Sequence, residues 1–306
     1  MPEFVAHIVP GLAFSLLGLW HTISIIRAFK QRGPTCFTSR PWYPFSSFLF
    51  NFKRLELLAI ISFSIFAIAS NVVDYHGYHP SSKPMNLEHA TMFLHLIIYA
   101  SIALAVDVSH QQPEVFSGLV GILASSAFGQ ELLLLHFHSA DHVGLEGHYH
   151  WLLQLAVWAS LLSTVATVGF PSSFPAALVR SMSILLQGFW FINMGFMLWA
   201  PKFIPKGCYA RGLEDDDMRG AVFCETDEAR HRAMALANLQ FSWILAGIMI
   251  FVAVLCLTPD RRYTARSISI DYEKLSSSRM QDMGQILGDG VDGFKQLNRS
   301  PARTVV

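Results

Sequence analysis

Seven apolar runs, each long enough to cross a bilayer as a helix and nearly free of charge, leave this chain few folds to choose from. They lie at about 6–26, 55–73, 87–108, 116–137, 149–170, 176–199 and 238–257. Inside lipid an unpaired backbone N–H or C=O has no water to bond, so each run is predicted to close its own hydrogen bonds as a helix. Composition points the same way. Only 14% of the 306 residues are charged, against about 25% in a soluble domain, too few to cover such a chain in water. The expected fold is all-α: a polytopic membrane helix bundle, with a seven-helix transmembrane domain over 1–258 and a disordered tail over 259–306. Prolines fall where a lost N–H costs little, Pro10 near the start of the first run and Pro171 and Pro175 around the fifth turn.

Basic residues set the expected orientation. The first connection carries Arg27, Lys30, Arg32, Arg40, Lys53 and Arg54 with hardly any acid, and the tail opens Asp260-Arg261-Arg262 before Arg266 and Lys274. An odd number of spans puts both regions on one side, which the positive-inside rule makes cytosolic, with the N-terminus lumenal or extracellular. The first run lacks a basic n-region and a cleavage site and is expected to stay as a signal-anchor helix. On the cytosolic side, Tyr272-Glu273-Lys274-Leu275 fits a tyrosine-based sorting signal and so a sorting adaptor as partner. The bilayer is the main expected partner; a formal net charge of zero gives a nucleic acid no electrostatic support. The four cysteines form no C-x-x-C pair and so no thiolate zinc site. Cys208 and Cys224 share the lumenal sixth connection, where they either form a disulfide or stay, with Cys36 and Cys256, unrelated thiols.

The chemistry concentrates in Glu131–Trp151, a hinge between two apolar runs that holds five of the thirteen histidines, His136, His138, His142, His148 and His150. With the topology above, eleven of the thirteen lie on or near the lumenal side; His21 and His110 are the exceptions. Glu131, His138 and His142, spaced by seven and four residues, share one face if the fourth helix runs past its apolar stretch. His136 then points elsewhere, and His148 and His150 cannot both face the same way. His89, on one face of the third helix with Met92, and His7 in the first helix can approach from neighbouring elements. Neutral imidazoles with a carboxylate suit a divalent metal, Zn or Fe. The candidate ligands are therefore His7, His89, Glu131, His138, His142, His148 and His150. Three alternatives compete: a proton-coupled transporter or pH sensor, a polar hydrogen-bonding network at helix ends, and a non-catalytic scaffold or signalling component acting through tail and loop. His138-x-x-x-His142 resembles one histidine box of membrane desaturases and hydroxylases, but the boxes are incomplete and on the lumenal rather than the cytosolic face, which argues against that reaction. Gln187, Asn193, Asn238 and Gln240 are expected to join helices by hydrogen bonds. Glu56, beside Lys53 and Arg54, is read as an interfacial ion pair, and Trp20, Trp42, Trp151 and Trp199 as interfacial anchors.

Several phrases resemble the transmembrane protein 45 family, its plant branch most. They are His7-x-x-Pro10-Gly11 with Gly18-Leu19-Trp20-His21, His89-Ala90-Thr91-Met92-Phe93, Glu131 with His148-x-His150, Gln187-Gly188-x-Trp190, and Asn238-Leu239-Gln240-Phe241. The resemblance covers roughly residues 5 to 258. It implies about seven helices and a place in an endomembrane compartment or the plasma membrane, and it transfers no reaction or substrate to any residue.

Overall fold

The computed structural model describes residues 2–45, 53–77, 83–109, 113–141, 144–210 and 222–259, leaving the side chains of 138–141 and a few other helix ends undescribed. Residues 1–256 form one compact unit. Among the described residues are seven helices long and apolar enough to span a membrane. They are α1 (Pro2–Arg32), α2 (Leu55–Gly77), α3 (Lys83–Val108), α4 (Pro113–Asp141), α5 (Leu145–Gly169), α6 (Phe174–Trp199) and α7 (Asp227–Leu257). Between α6 and α7 lie two short strands, β1 (Cys208–Ala210) and β2 (Val222–Cys224), paired antiparallel. The tail beyond 259, with the sorting motif at Tyr272–Leu275, lies outside the described residues.

Several helices overrun the apolar runs that announce them. α7 starts at Asp227 rather than 238, because its first turns form a helix well outside lipid too. Thr226 Oγ1 accepts from the Ala229 N–H at 3.1 Å, Asp227 and Glu228 sit at the positive end of the helix dipole, and Ala229, Ala233 and Ala237 are buried against neighbours. α6 opens in a similar way, with Ser173 accepting from Ala176 N–H and Pro175 in the first turn.

The most extensive helix contact is the antiparallel pair α1–α6. Its surface is set by four glycines, Gly11 and Gly18 on α1 and Gly188 and Gly195 on α6, each pair seven residues apart and so on one face. A Cβ on Gly18 would lie 2.5 Å from Leu185 N, one on Gly11 2.8 Å from Ile192 Cγ1, and one on Gly188 would run into Ser15. Without side chains at these points the backbones come together, the close approach by which helices associate in lipid. Lys30 of α1 donates to Leu255 O at 2.7 Å, satisfying a carbonyl left open at the end of α7.

α5 and α6 carry the deepest apolar core, with Leu153, Val157, Trp190, Met194 and Leu198 fully enclosed. Hydroxyls and amides also join these two helices: Gln187 Nε2 donates to Ser160 Oγ at 2.6 Å and Ser160 Oγ to Ser183 Oγ at 2.8 Å. The hairpin seals the α6–α7 connection. Cys208 pairs with Cys224 in register and is bonded to it as a disulfide, while Val222 enters the α5–α6–α7 core.

Candidate functional site

The helices place polar clusters at both ends of the bundle. At the end that holds the start of α1, the start of α5 and the close of α6, the His7 and His150 rings meet edge to face with centroids 6.1 Å apart. His7 also lies against Phe191 and Trp199, at 6.3 and 6.2 Å. His150 is buried, and its Nδ1 lies 3.0 Å from Glu146 O. A carbonyl only accepts, so Nδ1 carries the hydrogen and the neutral ring keeps its basic lone pair on Nε2. Glu146, four residues earlier on the same face of α5, is buried as well. Trp199 Nε1 is buried without a hydrogen-bond partner among the described residues.

The other sequence candidates spread around this centre. α4 does continue past its apolar run to Asp141, as a shared face for Glu131 and His138 requires. The His138 side chain and all of His142 lie outside the described residues. His136 is exposed and lies 3.4 Å from Gln154 Oε1, while Gln154 Nε2 donates to Leu135 O. These contacts set α4 against α5 with residue 135 level with 154. Glu131 therefore sits one turn further into the bundle, away from His150. His148 takes the opposite side of α5 from His150: its Nε2 lies 2.8 Å from Asn238 Oδ1 of α7 and its ring stacks on Trp151. His89 is half-buried near the start of α3. Among the described residues no three His, Cys, Asp or Glu side chains gather as a metal cage.

The amides join helices as expected. Gln240 Oε1 accepts from Tyr149 OH at 2.9 Å and Asn193 Nδ2 at 3.2 Å, tying α7 to α5 and α6. Trp190 Nε1 donates to Tyr149 O at 3.0 Å and its ring stacks on that tyrosine.

The opposite end corrects one expectation. Glu56 does not form the interfacial ion pair expected with Lys53 and Arg54. It is 8% exposed, its Oε1 lies 2.8 Å from His21 Nε2, and its Oε2 accepts from Tyr43 N–H at 3.0 Å. Arg54 instead pairs with Asp107 of α3 at 2.6 Å. The α1–α2 connection folds back under the helices as a strap, residues 33–45, turned off α1 at Gly33, whose φ of 76° suits a residue without Cβ. Phe37 and Tyr43 are buried in it, Tyr99 OH donates to Pro41 O at 2.9 Å, and Arg180 of α6 donates to Arg40 O at 2.5 Å and to Thr167 Oγ1 at 3.0 Å. Burial pushes the Tyr43 phenol above its ordinary value, against the lowering pull of Arg180. The signal for this centre was in the sequence: Arg180 stands inside the sixth apolar run, where a charge is costly unless it faces the bundle interior and is hydrogen-bonded.

Comparison with known proteins adds a family of unknown function, DUF716, whose model matches residues 117–257. That stretch runs from α4 to α7. The chain is also similar to transmembrane epididymal protein 1A of Mus musculus, 26% identical over 247 residues, or 74% of this chain and 75% of the mouse protein. Transmembrane epididymal protein 1 of Homo sapiens is 28% identical over 185 residues, 59% of this chain and 62% of its own length. These findings correct the transmembrane protein 45 resemblance drawn from the motifs: the matching model is DUF716 and the relatives are transmembrane epididymal proteins. With seven spanning helices and transmembrane relatives, the protein is a multi-pass membrane protein.

Proposed function

We propose that this membrane protein binds a divalent metal ion of the zinc class between the start of α1 and the start of α5, with His7 and His150 as two of the ligands. The observation that carries the reading is the approach of these two rings from separate helices, at 6.1 Å between centroids. Two imidazoles on one tetrahedral ion stand with centroids roughly 5 Å apart when Zn–N is about 2.0–2.1 Å. Rotation of the side chains covers the difference without moving a helix. The bond from His150 Nδ1 to Glu146 O supports it further, because a backbone carbonyl on one ring nitrogen fixes the tautomer that offers the other to a metal. Glu146 is the carboxylate on the same face. His138 and His142 are the sequence candidates for completing the set, while Glu131, a turn further into the bundle, and His89, on α3, lie outside the proposed set. His148, turned toward Asn238, is the least suited. On the orientation read from the basic residues, the ion would be taken from the lumenal or extracellular side.

The test is metal content. Purified protein in lipid nanodiscs, equilibrated with micromolar Zn²⁺ and desalted, should retain about one equivalent per chain by elemental analysis. The His7→Ala/His150→Ala variant should retain a tenth of that or less. A wild type that keeps no stoichiometric metal, or a double variant that keeps as much, would remove the reading.

A further inference from the structure

A second ionisable group stands apart from the imidazole pair. Glu131 is 4% exposed, six residues before the end of the apolar part of α4 at Phe137, or roughly 9 Å inside it at 1.5 Å per residue. It continues the buried stripe Val120, Ala124 and Ala127, at helical spacings of four, three and four. Val120 and Ala124 pack against Tyr99, Ala100 and Ala103 of α3. Glu131 therefore occupies a core position of the α3–α4 seam, where an apolar side chain would be ordinary.

Nothing among the described residues compensates a charge there. Glu131 Oε1 is buried with no hydrogen-bond partner, and the ion pairs found join other residues, His21 with Glu56, Arg54 with Asp107 and Arg230 with Asp227. Continuing the antiparallel register of α3 and α4 toward the start of α3 brings His95 and then His89 to the level of Glu131. His95 Nδ1 lies 3.0 Å from Thr91 O, so its neutral ring holds its hydrogen on Nδ1 and its lone pair on Nε2. On α5, with 154 level with 135, Trp158 and Ser160 stand nearest the level of Glu131; Ser160 is bonded to Ser183 and Gln187 of α6, and Gln154 is engaged with Leu135 O one turn above Glu131. Glu146 and His150 lie further out on α5, and Arg180 and Glu56 belong to the other end of the bundle. An isolated carboxylate in such surroundings costs several kcal/mol to hold as an ion, whereas the acid costs far less.

We propose that Glu131 is a proton-binding site inside the bundle, its side chain held in the α3–α4 seam as the neutral acid at neutral pH. An acid placed between packed helices gives the bundle one exchangeable proton, whose release would put a charge into that seam. The site is independent of the metal reading, since it uses neither His7 nor His150.

Infrared spectroscopy of the purified protein in nanodiscs at pH 7 tests this, with and without prior chelation of divalent metal. Glu131→Gln should lose one carboxylic-acid C=O band per chain while the carboxylate bands keep their intensity. Glu131→Asp, which retains an acid, should move that band rather than remove it, and so answers the question if the glutamine variant does not fold. Unchanged acid bands in both variants, with the loss falling on the carboxylate bands, would overturn the proposal. An acid band that appears only after chelation would overturn it too, by showing Glu131 to be a metal ligand.

Discussion

The glycine seam between α1 and α6 yields a prediction whose size can be worked from the coordinates. A Cβ at Gly18 would stand 2.5, 2.6 and 2.8 Å from Leu185 N, Cα and Cβ. Non-bonded carbons settle about 3.5–4.0 Å apart, so Gly18→Ala must push the helices apart by roughly 1 Å at that point. Its neighbours there are two backbone atoms and the Cβ fixed to them, none of which can rotate away. Overpacking of this kind typically costs about 1–3 kcal/mol, and alanine returns up to about 1 kcal/mol through its better helix propensity. With that gain subtracted in full, the net loss should be up to about 2 kcal/mol. Gly129, in the middle of α4, is the control: nothing lies within 4 Å of a Cβ there, so Gly129→Ala collects the propensity gain alone. Gly188→Ala acts on the same surface, where its Cβ would meet Ser15. Once one substitution has parted the helices the second costs less, and the double variant should fall short of the sum. Thermal unfolding followed by circular dichroism in one detergent orders the variants: Gly129→Ala at or above wild type, Gly18→Ala and Gly188→Ala clearly below. Gly18→Ala unfolding no earlier than Gly129→Ala would refute close helix approach as the basis of the seam.

Two further outcomes follow from the strap. Glu56→Ala leaves His21 Nε2 and the Tyr43 N–H buried without their acceptor, at about 1–3 kcal/mol each; limited proteolysis should then cut within 33–45 many times faster than in wild type, whereas Glu56→Gln, which still accepts, should be cut at an intermediate rate. Tyr43, whose phenol is raised by burial, ionises in the unfolded chain before it does so in the folded one, so its contribution to stability is complete below about pH 10 and is lost as pH rises beyond that. Replacement by phenylalanine should flatten the fall in melting temperature between pH 9 and 11 relative to wild type; an unchanged slope would show that other groups control it.

How much of this was legible depends on what each residue needs in order to be placed. The seven spans needed only apolar length, because lipid forces the backbone of each run to bond to itself. Glu131 as an interior carboxylate and the helix-joining roles of Gln187, Asn193 and Gln240 followed from polarity at depth. Glu56 did not, because chain proximity to Lys53 and Arg54 suggested partners that the fold turns elsewhere: Arg54 reaches Asp107, and His21 arrives from thirty-five residues away. The overrun of α7 escaped because its first turns are polar and alanine-rich, and apolar length is blind to them. The gathering of His7 with His150 depends on the register of α1 against α6. That register is fixed by Gly11, Gly18, Gly188 and Gly195, which chemistry-bearing motifs do not point to.

The polar residues of the bundle also show where a route through it would have to pass. Along α6, Gln187 belongs to the Ser160–Ser183 cluster that leads down to Thr167 and Arg180, and Asn193 belongs to the Gln240–Tyr149 cluster at the imidazole end. Between them stands Trp190, fully buried, stacked on Tyr149 and edge-on to Phe241. The ring and its bond to Tyr149 O hold α5, α6 and α7 together at the level where the two clusters would otherwise meet. Below it Arg180, a permanent cation, closes the inner end of the lower cluster, and fixed positive charge of that kind repels protons and metal ions. The hydroxyls of α5 and α6 join the two helices by hydrogen bonds across their contact. The two ends of the bundle are chemically separate: imidazole and carboxylate chemistry at one, with Glu131 one seam away, and a strap locked by Glu56, His21 and Arg180 at the other.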